Sequence, residues 1–399
     1  MRLLPFTYAA RNLGRSPVRS AMAGGGAMLV TLLAMAGAGF VLGMDGALRA
    51  SGLERNVVFL GAGSEESAER SEIPASTAGV IVASLRGIAQ IGGQPLAGPE
   101  VNVALTVDAR IAEPREAHAP GVVRGITPIA FLLHPQVRMT SGRAPDPGAD
   151  EVILGYSAAR VAGLEPEALE RTVTDDGSGG PTIAIDGRPM RVVGTFRAPG
   201  TVMDGEAWMP ITDVLVLARR ETVSAVIVAL DPGVAPATAS TFAQRRIDLE
   251  LSAIHEPAYF AAQASFYRPV QVMVLASAAL VALGALLGGL NTMYAAFAGR
   301  IREYGMLRVL GYTRTAIAVG MLQEATIASM AGALLAVALG MAFLDGAAVH
   351  FSMGTFGIII DHRVVAVGLV AGLVTGALGC VAPAMRCLRT EIPAALKAD

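Results

Sequence analysis

Lysine is almost absent from this sequence, and cysteine and charged residues are scarce as well. The 399-residue chain has one lysine, Lys397, two cysteines and only 16% charged residues. A Gly-x4-Gly-Lys-Ser/Thr loop needs a lysine that reaches the phosphates of a nucleotide, so this sequence contains no such loop. The net charge of −2 provides no basic surface for phosphates, which excludes nucleic acid as an expected partner. Because Cys380 and Cys387 both lie near the end of the sequence, no disulfide framework is expected in its middle.

The sequence also shows no catalytic or metal-binding constellation. Its histidines are scattered, without the His-x3-His spacing of zinc sites, at His118, His134, His255, His350 and His362. The stretch Gly155-Tyr156-Ser157-Ala158-Ala159 resembles a nucleophile elbow but lacks the last glycine. We interpret it as an ordinary turn from a strand to a helix, which disfavours a membrane hydrolase. We therefore predict no catalytic residue, no metal site and no cofactor in this chain.

What the sequence has in abundance is apolar residues, which make up 53% of the chain. Four stretches stay apolar over roughly the 20 residues that a helix needs to cross a bilayer. The predicted fold class is a membrane α-helical protein with four transmembrane helices and a large α+β domain inserted between the first two. The predicted segments are an amphipathic N-terminal segment (1–20), the membrane helices (21–44, 269–299, 315–344 and 364–385), the large domain (45–268), a basic segment (300–314), a short loop (345–363) and a tail (386–399).

Arginines next to the membrane segments predict the orientation of the chain. They cluster in 1–20, in 300–314 and in 386–399, and basic residues near membrane helices stay on the cytoplasmic side. The large domain and the short loop are then extracytoplasmic. Ala34-Met35-Ala36 offers an alternative, because signal peptidase accepts such a pattern. The long segment before it favours a retained helix.

The large domain alternates between helical and strand patterns. Pro74 to Ala89 has the spacing of an amphipathic helix, whereas "VNVALTVDARI" alternates as a strand does. Two alternating runs meet at Asp186-Gly187, a pair that favours a tight hairpin turn. From Ala237 to Phe266 the pattern is helical again and leads into the second membrane segment.

Small residues and one acid stand out inside the membrane segments. Several glycines recur four residues apart, which places them on one helix face and allows a close helix contact: Gly39 and Gly43, Gly284 and Gly288, and Gly368, Gly372 and Gly376. Packing within one subunit and a subunit interface both remain open. Glu324 is the one ionisable residue inside a predicted membrane helix. It is either a hydrogen-bonded structural carboxylate or a group with a proton or substrate role.

The stretch "NTMYAAFAGRIREYGMLRVLGYTR", Asn291 to Arg314, carries a family resemblance. Together with "LQEATIASMAGALLA" in the third membrane segment and "GRPMRVVGTFRAPGTVMDGEAWMPI" in the large domain, it resembles the FtsX/MacB-like permeases of ABC transporters, the mechanotransmission or type VII class. The resemblance covers nearly the whole sequence. It departs at one point, because the ATPase domain that MacB-type members carry before the first helix is lacking.

The resemblance implies a function for the basic segment. In this family it docks on a separate ABC ATP-binding subunit, which binds ATP and Mg, and here the matching residues are Arg300, Arg302, Glu303, Gly305, Leu307, Arg308, Leu310 and Gly311. Positive-inside topology alone is the alternative explanation for the arginines. The implied assembly pairs the chain with a second permease copy or paralogue in the bacterial inner membrane, in contact with membrane lipid.

The resemblance also implies that the chain is not itself an enzyme. The expected function is export with a periplasmic adaptor, a membrane fusion protein. Lipoprotein or lipid extraction, and regulation of a periplasmic hydrolase, are alternatives with the same mechanics. An ATP-independent periplasmic ligand sensor is an alternative of another class, disfavoured because the cytoplasmic segments are too short for an output domain.

Overall fold

The computed structural model describes Tyr8, Arg11 and residues 17–108, 120–351, 354–389 and 391–393. Most of the predicted segment 1–20 and the end of the predicted tail 386–399 lie outside the described residues. By its contacts the chain divides into two compact units. The helical unit comprises Met1–Leu42, Pro269–Ala347 and Ile358–Asp399, and the core domain comprises Gly43–Arg268 and Ala348–Gly357.

The elements of the described chain are numbered here in chain order. The helices are α1 (Pro17–Ser51), α2 (Thr77–Ser84), α3 (Ala130–Leu133), α4 (Tyr156–Val161), α5 (Pro166–Thr172), α6 (Ile211–Leu217), α7 (Ala237–Arg245), α8 (Glu256–Phe266), α9 (Arg268–Ala298), α10 (Ile301–Val309), α11 (Arg314–Phe343) and α12 (His362–Arg389). The strands are β1 (Asn56–Gly61), β2 (Ile73–Pro74), β3 (Gln90–Ile91), β4 (Gln94–Pro95), β5 (Ala97–Asp108), β6 (Pro120–Ile126), β7 (Arg138–Gly142), β8 (Glu151–Gly155), β9 (Thr182–Ile185), β10 (Arg188–Arg197), β11 (Glu206–Pro210), β12 (Thr222–Val223), β13 (Ala225–Ala229), β14 (Leu251–His255), β15 (Ala348–Phe351) and β16 (Gly354–Gly357).

Four of these helices are long and apolar enough to cross a membrane. The qualifying spans within the described residues are Ala21–Ser51, Arg268–Ala298, Arg314–Phe343 and His362–Arg386. Hydrocarbon offers no hydrogen-bond partners to the backbone, but an apolar helix of this length pairs its backbone N–H and C=O groups with one another. The predicted fold class, four membrane helices and a large α+β domain, is confirmed. The first helix continues past Met44 to Ser51.

The core domain is built on a mixed sheet of ten strands within the described residues. Its order is β14-β1-β13-β5-β6-β11-β8-β10-β7, with β9 paired to both β10 and β5. The pairs β6–β11 and β8–β10 are parallel, and the other pairs are antiparallel. The strands β8, β11 and β13 are buried along their whole length, as expected of strands with both faces covered. This sheet holds the main apolar core of the domain.

Local patterns predicted some elements of the core domain well and others poorly. The hairpin at Asp186-Gly187 is confirmed, since β9 and β10 pair there and both turn residues have positive φ, 48° and 76°. The helix predicted for Pro74 to Ala89 is shorter, from Thr77 to Ser84. The continuous helical pattern predicted from Ala237 to Phe266 is wrong. Strand β14 interrupts it because it pairs along β1, from Val57 with His255 to Gly61 with Leu251.

A charged network lies buried inside the core domain. The Arg124 guanidinium donates from Nε and Nη2 to Glu206, both at 2.6 Å, and from Nη1 to Glu100 at 2.5 Å. His134 Nε2 lies 2.7 Å from the other oxygen of Glu100, and the Trp208 indole N–H donates to Glu206 at 2.7 Å. Burial alone would raise the pKa of Glu100, but the charges of His134 and Arg124 outweigh burial and lower it to about 2. The network is therefore ionised although it is buried.

The same network reaches the start of α8 through Glu256, which is 2% exposed. Its carboxylate accepts a hydrogen bond of 2.8 Å from the backbone N–H of Leu53, just after α1, and lies 4.0 Å from His134 Nδ1. Burial raises the pKa of Glu256. The two segments of the core domain that adjoin α1 and α9 are thus joined by one buried carboxylate.

Candidate coupling site

The predicted coupling segment 300–314 folds into a short helix between two turns. Helix α10 starts after Arg300 and ends before Leu310, and Gly311 follows with φ of 91°. A left-handed residue after the helix end is a common helix stop, and glycine adopts it without strain. Thr313 then caps α11, because its hydroxyl oxygen accepts a hydrogen bond of 3.2 Å from the N–H of Ala316. The short helix is consequently held between two defined ends.

Arg300 anchors α10 to α11 and is mostly buried. Its Nη1 donates to both oxygens of Glu324, at 3.1 and 2.9 Å, and its Nε donates to Glu303 at 3.0 Å. Its guanidinium also lies 5.3 Å from the centre of the Tyr304 ring and 3.4 Å from the Tyr8 hydroxyl. The Arg300 and Glu324 side chains are 13% and 17% exposed. Glu324 therefore has a charged partner, as the structural interpretation of this residue requires.

One face of α10 packs inward with apolar side chains. Tyr304 is 3% exposed and meets Phe297 edge-on, with ring centres 6.5 Å apart. Ile301 and Leu307 pack against the same apolar cluster, which includes Ile317 on α11. The short helix is thus fixed to the helical unit by burial as well as by the ion pair.

The opposite face of α10 is exposed although it is largely apolar. Met306 is 50% exposed, Val309 63% and Leu310 75%, and Arg302 is exposed on the same side, four residues before Met306. Residues four apart in a helix lie on one face. We call Arg302, Met306, Val309 and Leu310 the outer face of α10.

The structure separates the predicted coupling residues by orientation. Arg302, Leu310 and Gly311 are exposed, Glu303, Leu307 and Arg308 are half-buried, and Arg300 and Gly305 face inward. Met306 and Val309 lie on the outer face but were not among the predicted coupling residues, because neither belongs to the recognised motif. The i, i+4, i+7 spacing of Arg302, Met306 and Val309 was the signal that could have found them.

The predicted glycines differ in the space around them. A Cβ at Gly368, Gly372 or Gly376 would press on side chains of α1 or α11, including Met35, Thr31 and Ser329. A Cβ at Gly39 would lie 2.9 Å from the carbonyl oxygen of Ile359, and one at Gly43 would collide with the Gly357 carbonyl. Gly284 and Gly288 on α9 have no atom within 4 Å of such a Cβ.

A further close contact was not among the predicted packing residues. A Cβ at Gly332 would collide with the carbonyl oxygen of Gly24, so the backbones of α1 and α11 approach each other directly there. The residues lie in helices far apart in the sequence, which is why spacing within one helix did not reveal the contact.

In the nucleophile-like turn, Ser157 is bonded to an acid. Ser157 donates from its hydroxyl to Asp204 at 2.6 Å, and its backbone N–H donates to the same carboxylate at 3.2 Å. No histidine contacts Ser157 within the residues described. Because Asp204 accepts both hydrogen bonds from Ser157, it connects α4 to the 3₁₀ turn Val202–Gly205.

The described chain thus combines four candidate membrane helices, an α+β domain inserted between the first two, and a short helix anchored between the second and the third. Residues 25–244, more than half of the chain, match the family model of the MacB-like periplasmic core domain, and residues 275–392 match that of the FtsX-like permease C-terminal region. The chain belongs to the FtsX/MacB-like permeases of ABC transporters. A comparison with curated proteins gave no match.

Two solved structures are similar to part of the chain. One is the periplasmic region of MacB from Actinobacillus actinomycetemcomitans, with 14% identity, a TM-score of 0.38, and coverage of 53% of this chain and 92% of that one. The other is the extracellular domain of the noncanonic ABC-type transporter YknZ from Gram-positive bacteria, with 14% identity, a TM-score of 0.34, and coverage of 50% and 98%. The family assignment depends on the two sequence models alone.

Proposed function

We propose that this chain is the permease subunit of an ABC transporter that works by mechanotransmission. A separate ATPase subunit binds ATP and Mg and docks on the outer face of α10. Its closure moves the helical unit, and the movement reaches the core domain, which lies in the periplasm of a bacterium with the helices in the inner membrane. With a periplasmic adaptor protein, this movement drives export of a substrate.

The observation that carries the proposal is the outer face of α10. A helix that buries Tyr304 and pairs Arg300 with Glu324, yet leaves Met306, Val309 and Leu310 exposed, has an apolar surface without a partner in the described chain. Apolar side chains beside an arginine are the usual composition of the centre of a protein interface. The short, anchored helix suits a mechanical contact, because a rigid attachment passes displacement on to α11.

A second copy of the permease is part of the proposal and belongs on α9. Phe297 is the only buried residue of that helix, and a Cβ at Gly284 or Gly288 meets open space. Small residues on a lipid-facing surface permit a close contact with another helix. We assign the subunit-interface interpretation to these two glycines and the packing interpretation to the other predicted ones.

The test is purification of the full chain from native membranes with its ATPase, followed by ATP hydrolysis measurements. The double variant Arg302→Glu with Met306→Asp changes only exposed positions on the outer face. We expect it to weaken ATPase binding at least about tenfold, which corresponds to about 1.4 kcal/mol. When ATPase binding is weakened, the permease no longer stimulates ATP hydrolysis by the ATPase subunit.

The matched control is Arg171→Glu with Val216→Asp, which makes the same kinds of charge change at two exposed positions of the core domain, at 81% and 66% exposure. It keeps the ATPase bound and active. If both double variants retain the ATPase equally, the outer face of α10 is not the docking site. If the wild-type chain binds no P-loop ATPase while remaining folded, the transporter function itself is refuted, and the core domain must be studied as a ligand sensor.

A further inference from the structure

The start of α8 is bonded to the segment that follows α1, inside the core domain. Glu256, the first residue of α8, accepts a hydrogen bond of 2.8 Å from the backbone N–H of Leu53. A Cβ at Gly52 would lie 2.8 Å from the Cα of Pro257, so the two backbones are in direct contact. We call Gly52, Leu53, Glu256 and Pro257 the joint of the core domain. The carboxyl group of Glu256 is the one titratable group of the joint.

A second titratable group faces Glu256 in this buried space. His134 Nδ1 lies 4.0 Å from Glu256 Oε1, and the two side chains are 1% and 2% exposed. His134 Nδ1 has no hydrogen-bond partner in the described chain, whereas its Nε2 lies 2.7 Å from Glu100. A carboxyl group and an imidazole that face each other away from water titrate as a pair, because the charge of either one changes the proton affinity of the other.

The surroundings of this pair carry more negative than positive charge. The titratable and charged groups that face the pair are Glu100 on β5, Arg124 on β6, Glu206 on β11, Glu69 in the 3₁₀ turn Ala68–Arg70 and Tyr259 on α8. Burial raises the pKa of Tyr259 to about 12, so its hydroxyl stays uncharged near neutral pH. Arg124 is the one cation of this set, and it is already paired with Glu100 and Glu206. An ionised Glu256 beside a neutral His134 is therefore a buried charge without a partner, which is costly.

We propose that the joint is a pH-sensitive connection, which is closed while His134 and Glu256 hold at least one proton between them and opens when both are deprotonated. On opening, the hydrogen bond from Leu53 to Glu256 breaks, and the carboxylate turns towards water. The proposal does not depend on the proposed transport function.

The pKa shifts of the pair agree in sign with this behaviour. Burial raises the pKa of Glu256. Burial lowers the pKa of His134, but the Glu100 carboxylate outweighs burial and raises it. The protonated forms are thus favoured in the closed joint. Closure is complete below about pH 6.5 and is lost as the pH rises through the raised pKa of His134.

The test is amide hydrogen exchange of the purified full chain in lipid nanodiscs, from about pH 6 to about pH 9. The rate of the peptide that contains Leu53 is divided by the intrinsic exchange rate at each pH. An opening that releases one proton changes by up to about tenfold for each pH unit. We expect the protection of Leu53 to fall at least about tenfold over the whole range. Thermal unfolding checks that the chain stays folded throughout.

Glu256→Gln removes the titrating carboxyl group and keeps an oxygen that can accept from the Leu53 N–H. We expect its joint to stay closed at about pH 9, with protection of Leu53 at least about tenfold above that of the wild type. A merely structural role of Glu256 would instead give lower protection at every pH.

Glu54→Gln is the matched control, because it makes the same chemical change next to Leu53. Glu54 is 90% exposed and lies 3.5 Å from His255, so it belongs to a separate, exposed pair. This variant keeps the fall in protection of the wild type. The proposal is overturned if wild-type protection does not depend on pH, a result that requires no variant. It is equally overturned if Glu256→Gln shows the wild-type fall, or if Glu54→Gln abolishes that fall.

Discussion

The ion pair between Arg300 and Glu324 gives the most direct test of how α10 is held. Replacing either residue by glutamine removes one charge and keeps a side chain of similar size. Two unit charges at about 4 Å attract by about 4 kcal/mol at an effective dielectric constant of 20, and part of this gain is offset by desolvation. Both side chains retain some exposure, and Arg300 has further partners in Glu303 and Tyr8. We therefore expect each single variant to weaken the attachment of α10 by about 1.5 to 3 kcal/mol.

The measurement is amide hydrogen exchange over Ile301 to Val309 in the detergent-solubilised chain. A loss of about 1.5 to 3 kcal/mol in local stability speeds exchange through opening by about 10 to 150-fold. The variant with both Arg300→Gln and Glu324→Gln loses less than the sum of the two single variants, with a coupling energy of about 1 to 2 kcal/mol. Exchange in the core domain stays unchanged.

Arg302→Gln is the matched control, because Arg302 is an exposed arginine of the same helix. It alters the charge equally and leaves exchange in α10 as in the wild type. The reasoning is refuted if Glu324→Gln leaves exchange in α10 unchanged, or if the effects of the two single variants add without coupling.

Two further predictions concern the core domain and the helix packing. Burial alone would lower the pKa of His134, but the Glu100 carboxylate outweighs burial and raises it. The contribution of the protonated His134 to the free energy of unfolding is therefore complete below about pH 6.5 and is lost as the pH rises through the raised pKa. The pKa of Glu100 near 2 acts in the opposite direction, since its contribution is lost as the pH falls from about 4.5. Through these two groups, urea unfolding followed by Trp208 fluorescence should show greatest stability between about pH 4.5 and 6.5. His134→Phe should change the decline at higher pH without abolishing it, because the raised pKa of Glu256 also contributes to that decline; an unchanged decline would contradict the assignment. Gly332→Val should destabilise the helical unit by about 1 to 3 kcal/mol in thermal unfolding, because its side chain meets the backbone of α1, whereas Gly379→Val, in open space, should not; equal stability of the two variants would exclude the close contact.

Local sequence determined the parts of the fold that could be predicted. The four crossings follow from apolar length, and the turn at Asp186-Gly187 follows from two residues that tolerate positive φ. Strand β14 was missed because its identity depends on pairing with β1, almost 200 residues earlier. The hairpin of β15 and β16, inside the predicted loop 345–363, was missed for a different reason. Its strands are four residues each, and they gave no periodic signal.

The candidate site shows the same division between local and distant information. The arginines after α9 were found because they are close together in the sequence, but their orientations were not. Arg300 turns inward because its partner Glu324 lies on the next helix, 24 residues later. Arg302, only two residues from Arg300, faces outward. Arg300 lies just before the first residue of α10 in a non-helical conformation, whereas Arg302 lies in its first turn, so a helical period in the sequence could not predict their two orientations.

This separation of roles constrains how the proposed coupling can work. If docking relied on arginines alone, Arg300 would not contribute, because its charge is already neutralised by Glu303 and Glu324 within the chain. The exposed surface is instead an apolar patch, Met306, Val309 and Leu310, with Arg302 at its edge. In protein interfaces apolar centres provide most of the affinity, and charges at the edge set orientation. On the proposed function, the outer face binds the ATPase, while the pair of Arg300 and Glu324 keeps α10 from rotating under load, so that displacement passes into α11.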